Sequence, residues 1–338
     1  MRFQTIRDDS RCVVQAIPPE ERAESIQMMV QRGLTKSPKA LPPILFYDKR
    51  GSELFEEICQ LPEYYLTRTE QAILDQNAAE MVAYCDRRHF LVELGSGSAK
   101  KTRTLLDSLF AAGKRPIYQP IDISRAMLQT TAGKLVREYP KLEVQAIASD
   151  YTSGLKEVTA QKEYQKVLLF LGSNLGNFSR TGAAAFLEKV RGAMMPNDLL
   201  FLGVDLVKEL GILLSAYDDD RGTTAAFNRN ILNRINSELD ADFDTDKFHH
   251  QVVWNEIEQA IEMHLRSAGE QTVTIKSLDL TVRFKDGETI HTESSHKYTF
   301  NTLQDLCNEA GLALKKSWLD DHDWFTMNLI VPRPDGQV

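Results

Sequence analysis

The stretch HFLVELGSGSAKKT, residues 89–102, carries the residue types of a ligand-binding turn. An apolar run ends in an acid, passes through Gly95-Ser96-Gly97 and leads into helix-forming residues. Glycine after a strand lets backbone N–H groups approach a ligand closely, and a helix start adds a dipole that favours negative charge. A dinucleotide fingerprint would read GxGxxG. Here Gly95 and Gly97 are followed by Lys100, so the third glycine is absent and close packing around a pyrophosphate is disfavoured. Two acids close later apolar runs, Asp122 in YQPIDIS and Asp150 in ASDY. A carboxylate at such a strand end can accept from both hydroxyls of a ribose. The plainer readings are a tight turn for Gly95-Ser96-Gly97 and helix caps for the aspartates. Three such features on successive strand ends, in order, favour one ligand site over three unrelated turns.

The elements that must position these residues alternate. HFLVEL, PIYQPIDI, LEVQAIASD, QKVLLFLGS and DLLFLGVDL read as buried strands. Between them KKTRTLLDSLFAAGK, SRAMLQTTAGKLVREYP and RTGAAAFLEKVRGAM have apolar positions at helical spacing. This alternation predicts an α/β, Rossmann-like, doubly wound parallel sheet with its ligand beyond the carboxyl ends of the strands. The flanks differ. TTAAFNRNILNRINSEL, residues 223–239, reads as a long helix, and 271–285 with 289–300 read as a hairpin around KDGE. Two further strands are expected in LALKKSWLDDHDWFTMNLIVP. The expected division is a core over 69–204, a second α+β unit built from 18–68 and 205–338, and an N-terminal extension over 1–17.

Bulk properties exclude several classes. With 338 residues, 42% hydrophobic and 26% charged, the chain is long enough for one large or two intimate globular units. A net charge of -8 without a basic block argues against a nucleic-acid partner. No apolar run approaches a membrane span, and the first residues lack the apolar core of a secretory signal. Cys12, Cys59, Cys85 and Cys307 lie far apart without a CxxC, which fits free thiols in a reducing, cytoplasmic setting. No histidine or cysteine spacing suggests a metal, and the expected working unit is a monomer.

The form ELGSGS resembles the first motif of S-adenosylmethionine-dependent methyltransferases, in which the glycine turn faces the methionine part of the cofactor. In that setting Asp122 meets the ribose and Asp150 the adenine amino group. More specifically, LPPILFYDKRGSELFEEICQLPEYYLTRTE, LFLGSNLGNFSR, LSAYDDDRGTTAAFNRNILNRINSELDADFD and HTESSHKY together resemble the histidine Nα-methyltransferases of ergothioneine biosynthesis. The resemblance covers nearly all of the chain after about residue 30. It implies a methyltransferase core with a substrate unit made from both chain ends. It implies cofactor contacts at Gly95, Gly97, Lys101, Asp122, Asp150, Tyr151 and Gly172. It implies that Asn177 holds the substrate amino group, as a catalytic residue together with Tyr47. Tyr47 and Tyr217 fall near the substrate carboxylate. Tyr64, with Tyr65 adjacent, falls beside the imidazole, which Glu293 and Ser295 recognise and Met263 borders.

These residue types suit free histidine. Tyrosine hydroxyls donate to a carboxylate without adding full charge, and Glu293 and Ser295, two apart in a strand, share one face. The plainer reading of TESSHKY is an exposed polar strand, and of the tyrosines, half-buried packing. The expected activity is methyl transfer to the α-amino group of L-histidine, three rounds giving hercynine, with no metal. Two rivals remain: an N-methyltransferase of the same family acting on tryptophan or a derivative, and a non-catalytic protein that keeps the cofactor fold.

Overall fold

The computed structural model describes residues 6–9, 11–17 and 25–334. Its strands are β1 (Ile6–Asp9), β2 (Cys12–Ala16), β3 (Lys39–Ala40), β4 (Arg88–Leu94), β5 (Arg115–Asp122), β6 (Glu143–Ala148), β7 (Gln165–Phe170), β8 (Leu199–Asp205), β9 (Phe248–Asn255), β10 (Ala260–Ser267), β11 (Gln271–Ile275), β12 (Leu280–Phe284), β13 (Thr289–His296), β14 (Leu312–Leu319) and β15 (Phe325–Pro332). Its helices are α1 (Ile26–Thr35), α2 (Lys49–Ile58), α3 (Tyr65–Ala83), α4 (Lys100–Ala111), α5 (Arg125–Glu138), α6 (Tyr151–Thr159), α7 (Arg180–Ala193), α8 (Leu210–Ser215), α9 (Thr223–Leu239) and α10 (Phe300–Glu309). None of the described helices is long and apolar enough to cross a membrane.

Nine strands form the large sheet in the order β1-β2-β6-β5-β4-β7-β8-β15-β14. The strands β6, β5, β4, β7 and β8 run parallel. Each is apolar almost throughout because helices cover both faces. Leu91 packs with α3, α4 and α5, while its neighbours Phe90 and Val92 pack on the other face with α6, α7 and α10. β5 carries Pro116 and Pro120 although it is an interior strand. Successive N–H groups in a strand point to opposite edges, so two prolines four apart lose donors on one edge only. The ladder to β4 is accordingly unbroken from Arg115 to Ile121, while the ladder to β6 is interrupted between Tyr118 and Ile121.

The sheet order redraws the expected boundaries. β14 and β15, expected in the second unit within 205–338, complete the large sheet, with β15 antiparallel to β8 from Phe325↔Asp205 to Ile330↔Leu200. The physical reason is that β8 is buried along its whole length, and its outer edge needs a partner for its backbone groups. β2, in the expected 1–17 extension, pairs in parallel with β6 at the other edge. The start of the expected second unit, residues 18–24, lies outside the described residues.

A smaller sheet, β3-β13-β10-β9, packs with α1, α2 and α9 around a third apolar cluster, whose buried members run from Val30 to Leu66 and from Leu213 to Ile290. The expected hairpin around KDGE is a correction. β12 pairs with β11, whereas β13 pairs with β10, so KDGE joins two sheets. The turn is held from outside the hairpin: the Gly287 N–H donates to the Ser267 carbonyl at 2.9 Å, and Glu288 pairs with Lys39. These contacts turn β13 away from β12.

Candidate functional site

The carboxyl ends of β4, β5, β6 and β7 bring the glycine turn and the strand-end acids together. Gly95 has φ +76° and its N–H donates to the Ile121 carbonyl at 2.8 Å. A Cβ there would lie 2.7 Å from the Tyr151 hydroxyl, so glycine is required both by conformation and by close approach. The N–H groups of Gly97 and Ser124 donate to the two Asp122 oxygens at 3.0 and 2.9 Å. A carboxylate offers about four acceptor positions, so roughly half of its capacity remains for a ligand. Asp150 caps α6, accepting from the Ser153 N–H at 3.0 Å and the Ser153 hydroxyl at 2.8 Å. The plainer reading of this aspartate as a helix cap is thus present in the fold. Tyr151 packs edge-on against Phe170, with ring centroids 5.4 Å apart. Burial, reinforced by Asp122, raises the Tyr151 phenol above its ordinary value and keeps it neutral.

Lys101 and Gly172 meet at a residue that the sequence reading did not single out. Glu70 is wholly buried; it pairs with Lys101 and accepts the Gly172 N–H on both oxygens at 2.9 Å. The available signal was an acid on the buried stripe of α3, among Leu66, Thr69, Ile73 and Leu74. A cation, a carboxylate with spare acceptor positions and a backbone turn facing open space at Gly97 fit a ligand that joins a zwitterionic amino acid to a ribose. That is the donor set S-adenosylmethionine needs. Among the described residues, no three His, Cys, Asp or Glu side chains converge as metal ligands.

Beyond this crevice a cavity opens between the turn after β7 and the smaller sheet. It is lined by Tyr47, Tyr64, Asn177, Tyr217, Met263, Glu293 and Ser295, together with Phe55, Phe227, Gly172 and Asn174. All seven residues expected around the substrate therefore face one space. Different elements deliver them. Asn177 ends the short helical turn Asn174–Asn177. That turn approaches the end of β13 so closely that a Cβ on Gly176 would lie 2.8 Å from the His296 carbonyl oxygen, and His296 Nδ1 donates to the Gly176 carbonyl at 2.8 Å. Tyr47 precedes α2 and Tyr64 precedes α3. Met263 on β10 is the cross-strand partner of Glu293 on β13, which puts both on one face. A bulge at Thr292 re-aims the strand, since His264 pairs with His291. His264 and His291 form an edge-to-face pair of rings, 5.2 Å apart, on the opposite face, where Ser294 bonds His291 at 2.8 Å.

No hydrogen bond among the described residues engages the phenols of Tyr47 and Tyr64 or the Glu293 carboxylate. Three half-buried polar groups that face one cavity without a protein partner mark a ligand site. Burial pushes the Glu293 carboxyl up to about 7, with Lys297 pulling it back down. Burial, then Glu293, holds the Tyr47 phenol well above its ordinary value; burial, then Tyr217, does the same for Tyr64. Both phenols therefore stay neutral donors. Tyr65 turns away: its hydroxyl donates to Asp205 at 2.7 and 2.9 Å, deep in the protein. Tyr64 is thus the member of the pair that lines the cavity.

Behind the cavity wall lies a polar cluster that the sequence reading also missed. Lys297 donates to Tyr217 Oη and Ser295 Oγ, both at 2.9 Å, and pairs with Asp205 at 2.8 Å. Tyr217 Oη in turn donates to Ser295 Oγ at 2.7 Å. The signal was there in TESSHKY, where Glu293, Ser295 and Lys297 follow one another at a spacing of two.

Comparison with known proteins agrees with this geometry. A histidine N-alpha-methyltransferase of Mycobacterium tuberculosis is 45% identical over 300 residues, covering 89% of this chain and 92% of that protein. A histidine N-alpha-methyltransferase of Mycolicibacterium smegmatis is 42% identical over 312 residues, covering 92% and 96%. A 4-dimethylallyltryptophan N-methyltransferase of Trichophyton verrucosum is 28% identical over 306 residues, covering 87% and 90%. Residues 26–332 match the model of the histidine-specific, S-adenosylmethionine-dependent methyltransferases. With that match spanning the glycine turn, the strand-end acids and the whole cavity, the chain belongs to the histidine-specific, S-adenosylmethionine-dependent methyltransferase family.

Proposed function

We propose that the chain methylates the α-amino group of L-histidine in three rounds, giving hercynine for ergothioneine biosynthesis. The observation that carries this reading is the half-buried Glu293 carboxylate, without a hydrogen-bond partner among the described residues, next but one to Ser295, in a cavity that also holds Asn177. S-adenosylmethionine supplies the electrophilic methyl group when bound. Gly95, Gly97, Lys101, Asp122, Asp150, Tyr151 and Gly172 are its proposed contacts, supported by their convergence at the strand ends.

The remaining work is positioning, which contributes much of the rate in a displacement of this kind. The Asn177 side chain accepts from the substrate amine and directs the nitrogen lone pair. Tyr47, whose phenol is neutral and unpaired, donates to the substrate carboxylate. Tyr217 has its proton aimed at Ser295, so of the two tyrosines matched to the carboxylate, Tyr47 is the free donor. Glu293 accepts the ring N–H and Tyr64 flanks the ring. The growing positive charge on nitrogen is met by aromatic faces, with Tyr47, Phe55 and Phe227 packed at centroid distances of 5.8–6.0 Å. Unpaired Cys59, Cys85 and Cys307 thiols fit a cytoplasmic setting.

Mass spectrometry of L-histidine incubated with the protein and S-adenosylmethionine tests the reading. Additions of one, two and three methyl groups are expected. Methylation of tryptophan but not histidine would replace this substrate assignment, and no methylation of either would leave only a cofactor-fold binding protein.

A further inference from the structure

The polar cluster behind Ser295 has no part in the chemistry so far, yet it dictates what Ser295 can do. A serine hydroxyl has one proton to donate and two lone pairs. Ser295 Oγ accepts from Lys297 Nζ at 2.9 Å and from Tyr217 Oη at 2.7 Å, so both lone pairs are taken. The Lys297 ammonium has three protons, which go to Ser295, Tyr217 and Asp205, and its side chain is 0% exposed. Burial would lower the lysine, but Asp205 and Tyr217 outweigh it and hold the ammonium above its ordinary value. Asp205 is itself anchored by Lys208 at 2.6 Å and by the Tyr65 hydroxyl. The arrangement has no slack.

We propose that Lys297 is a positioning residue that sets the polarity of ring recognition: held on Asp205, it occupies Ser295 so that this hydroxyl can only donate, and the cavity takes a neutral imidazole with its bare nitrogen toward Ser295 and its N–H toward Glu293. The inference rests on the reading of Glu293 and Ser295 as partners of the ring. Imidazolium carries two donors and no acceptor. It would set an N–H against the Ser295 proton and add a second cation near Lys297. An indole or a pyrrole has one N–H and no acceptor, and leaves the Ser295 proton unpaired. Discrimination against donor-only rings then arises from the buried lysine and not from volume alone.

The test compares kcat/KM for L-histidine with that for β-(pyrrol-2-yl)- and β-(pyrrol-3-yl)-L-alanine. These rings match imidazole in size and place a lone N–H at one or the other ring-nitrogen position. The parent should prefer histidine to both. In Lys297→Met, which keeps the side-chain length and leaves Asp205 paired with Lys208, Ser295 regains a lone pair. The preference over the pyrrole whose N–H faces Ser295 should fall at least about tenfold. Affinity for S-adenosylhomocysteine, read by calorimetry, should stay within about twofold, because Lys297 lies outside the cofactor contacts. Tyr217→Phe frees a Ser295 lone pair without moving a charge and should shift the same ratio in the same direction, which keeps the idea testable if Lys297→Met does not fold. Unchanged histidine-to-pyrrole ratios in the folded variants overturn the role of Lys297 alone. A parent that methylates no histidine overturns the underlying reading, and this inference with it.

Discussion

Glu70 accepts the Gly172 amide on both carboxylate oxygens, at 2.9 Å each, from a position with no exposure to water. The same carboxylate pairs with Lys101, so one buried acid ties α3, α4 and the turn after β7 together. Glu70→Ala should leave Lys101 and the Gly172 N–H without their partner. The expected cost is about 3 kcal/mol, at the low end for a buried pair because Lys101 retains some contact with water. Thermal denaturation should show a fall in Tm of about 4 °C. Glu70→Gln, which keeps an acceptor for Gly172, should lose less. Equal stability of all three proteins would remove Glu70 from the framework of the site.

Asp122 fixes the glycine turn from β5 and, in the proposed function, also holds the ribose. Asp122→Ala should weaken S-adenosylhomocysteine binding by about 10- to 150-fold, corresponding to about 1.5–3 kcal/mol for charge-assisted hydrogen bonds. Titration calorimetry on the folded variant measures this directly. Unchanged affinity would leave Asp122 only its contacts to the Gly97 and Ser124 amides.

The Glu293 carboxyl, pushed up to about 7 by burial, should make histidine binding proton-linked. A raised carboxyl is protonated below its own value and ionised above it. At pH 7 about half of the empty sites carry the proton, and accepting a ring N–H requires its release. The parent should therefore release up to about half a proton more than Glu293→Gln on binding histidine at pH 7, with the difference fading above about pH 8. Calorimetry in buffers of different ionisation enthalpy gives the count. An identical count in both proteins would mean that Glu293 does not meet the ring.

Met263 and Glu293 are cross-strand partners on the cavity wall, so trimming both enlarges one subsite. Glu293→Ala should cost histidine about 10- to 150-fold in kcat/KM through loss of a charged hydrogen bond. Adding Met263→Val should move the histidine-to-tryptophan ratio further toward tryptophan. A ratio that stays constant through both changes would return TESS to being an ordinary polar strand.

The parallel strands and the glycine turn were legible because periodicity and turn chemistry are local. HFLVEL could be little but a buried strand, and ELGSGS little but a tight turn beyond it. The partners of β14 and β15 were not legible, since an apolar strand fits any open edge and only the assembled sheet shows that β8 lacked one. KDGE misled for the same reason: it reads as a hairpin turn, but Lys39 and Ser267, distant in the chain, decide where β13 goes. The residues lining the cavity came from a family resemblance, and no spacing alone connects Tyr47 to Glu293. Glu70 and Lys297 went unnoticed because charged residues are ordinarily taken as surface, and their burial depends on partners at Lys101 and Asp205 that only tertiary contact supplies.

The hydrogen bond between His296 and the Gly176 carbonyl works like the screw of a caliper. One jaw is the turn that carries Asn177; the other is the strand that carries Glu293 and Ser295. Their gap is locked where the two touch, at a glycine that leaves no room for adjustment. In the proposed function the amine is held by one jaw and the ring by the other, so the protein would gauge the length of its substrate as well as the chemistry of its ends. An amino acid one methylene longer than histidine could seat its ring or present its nitrogen, but not both at once.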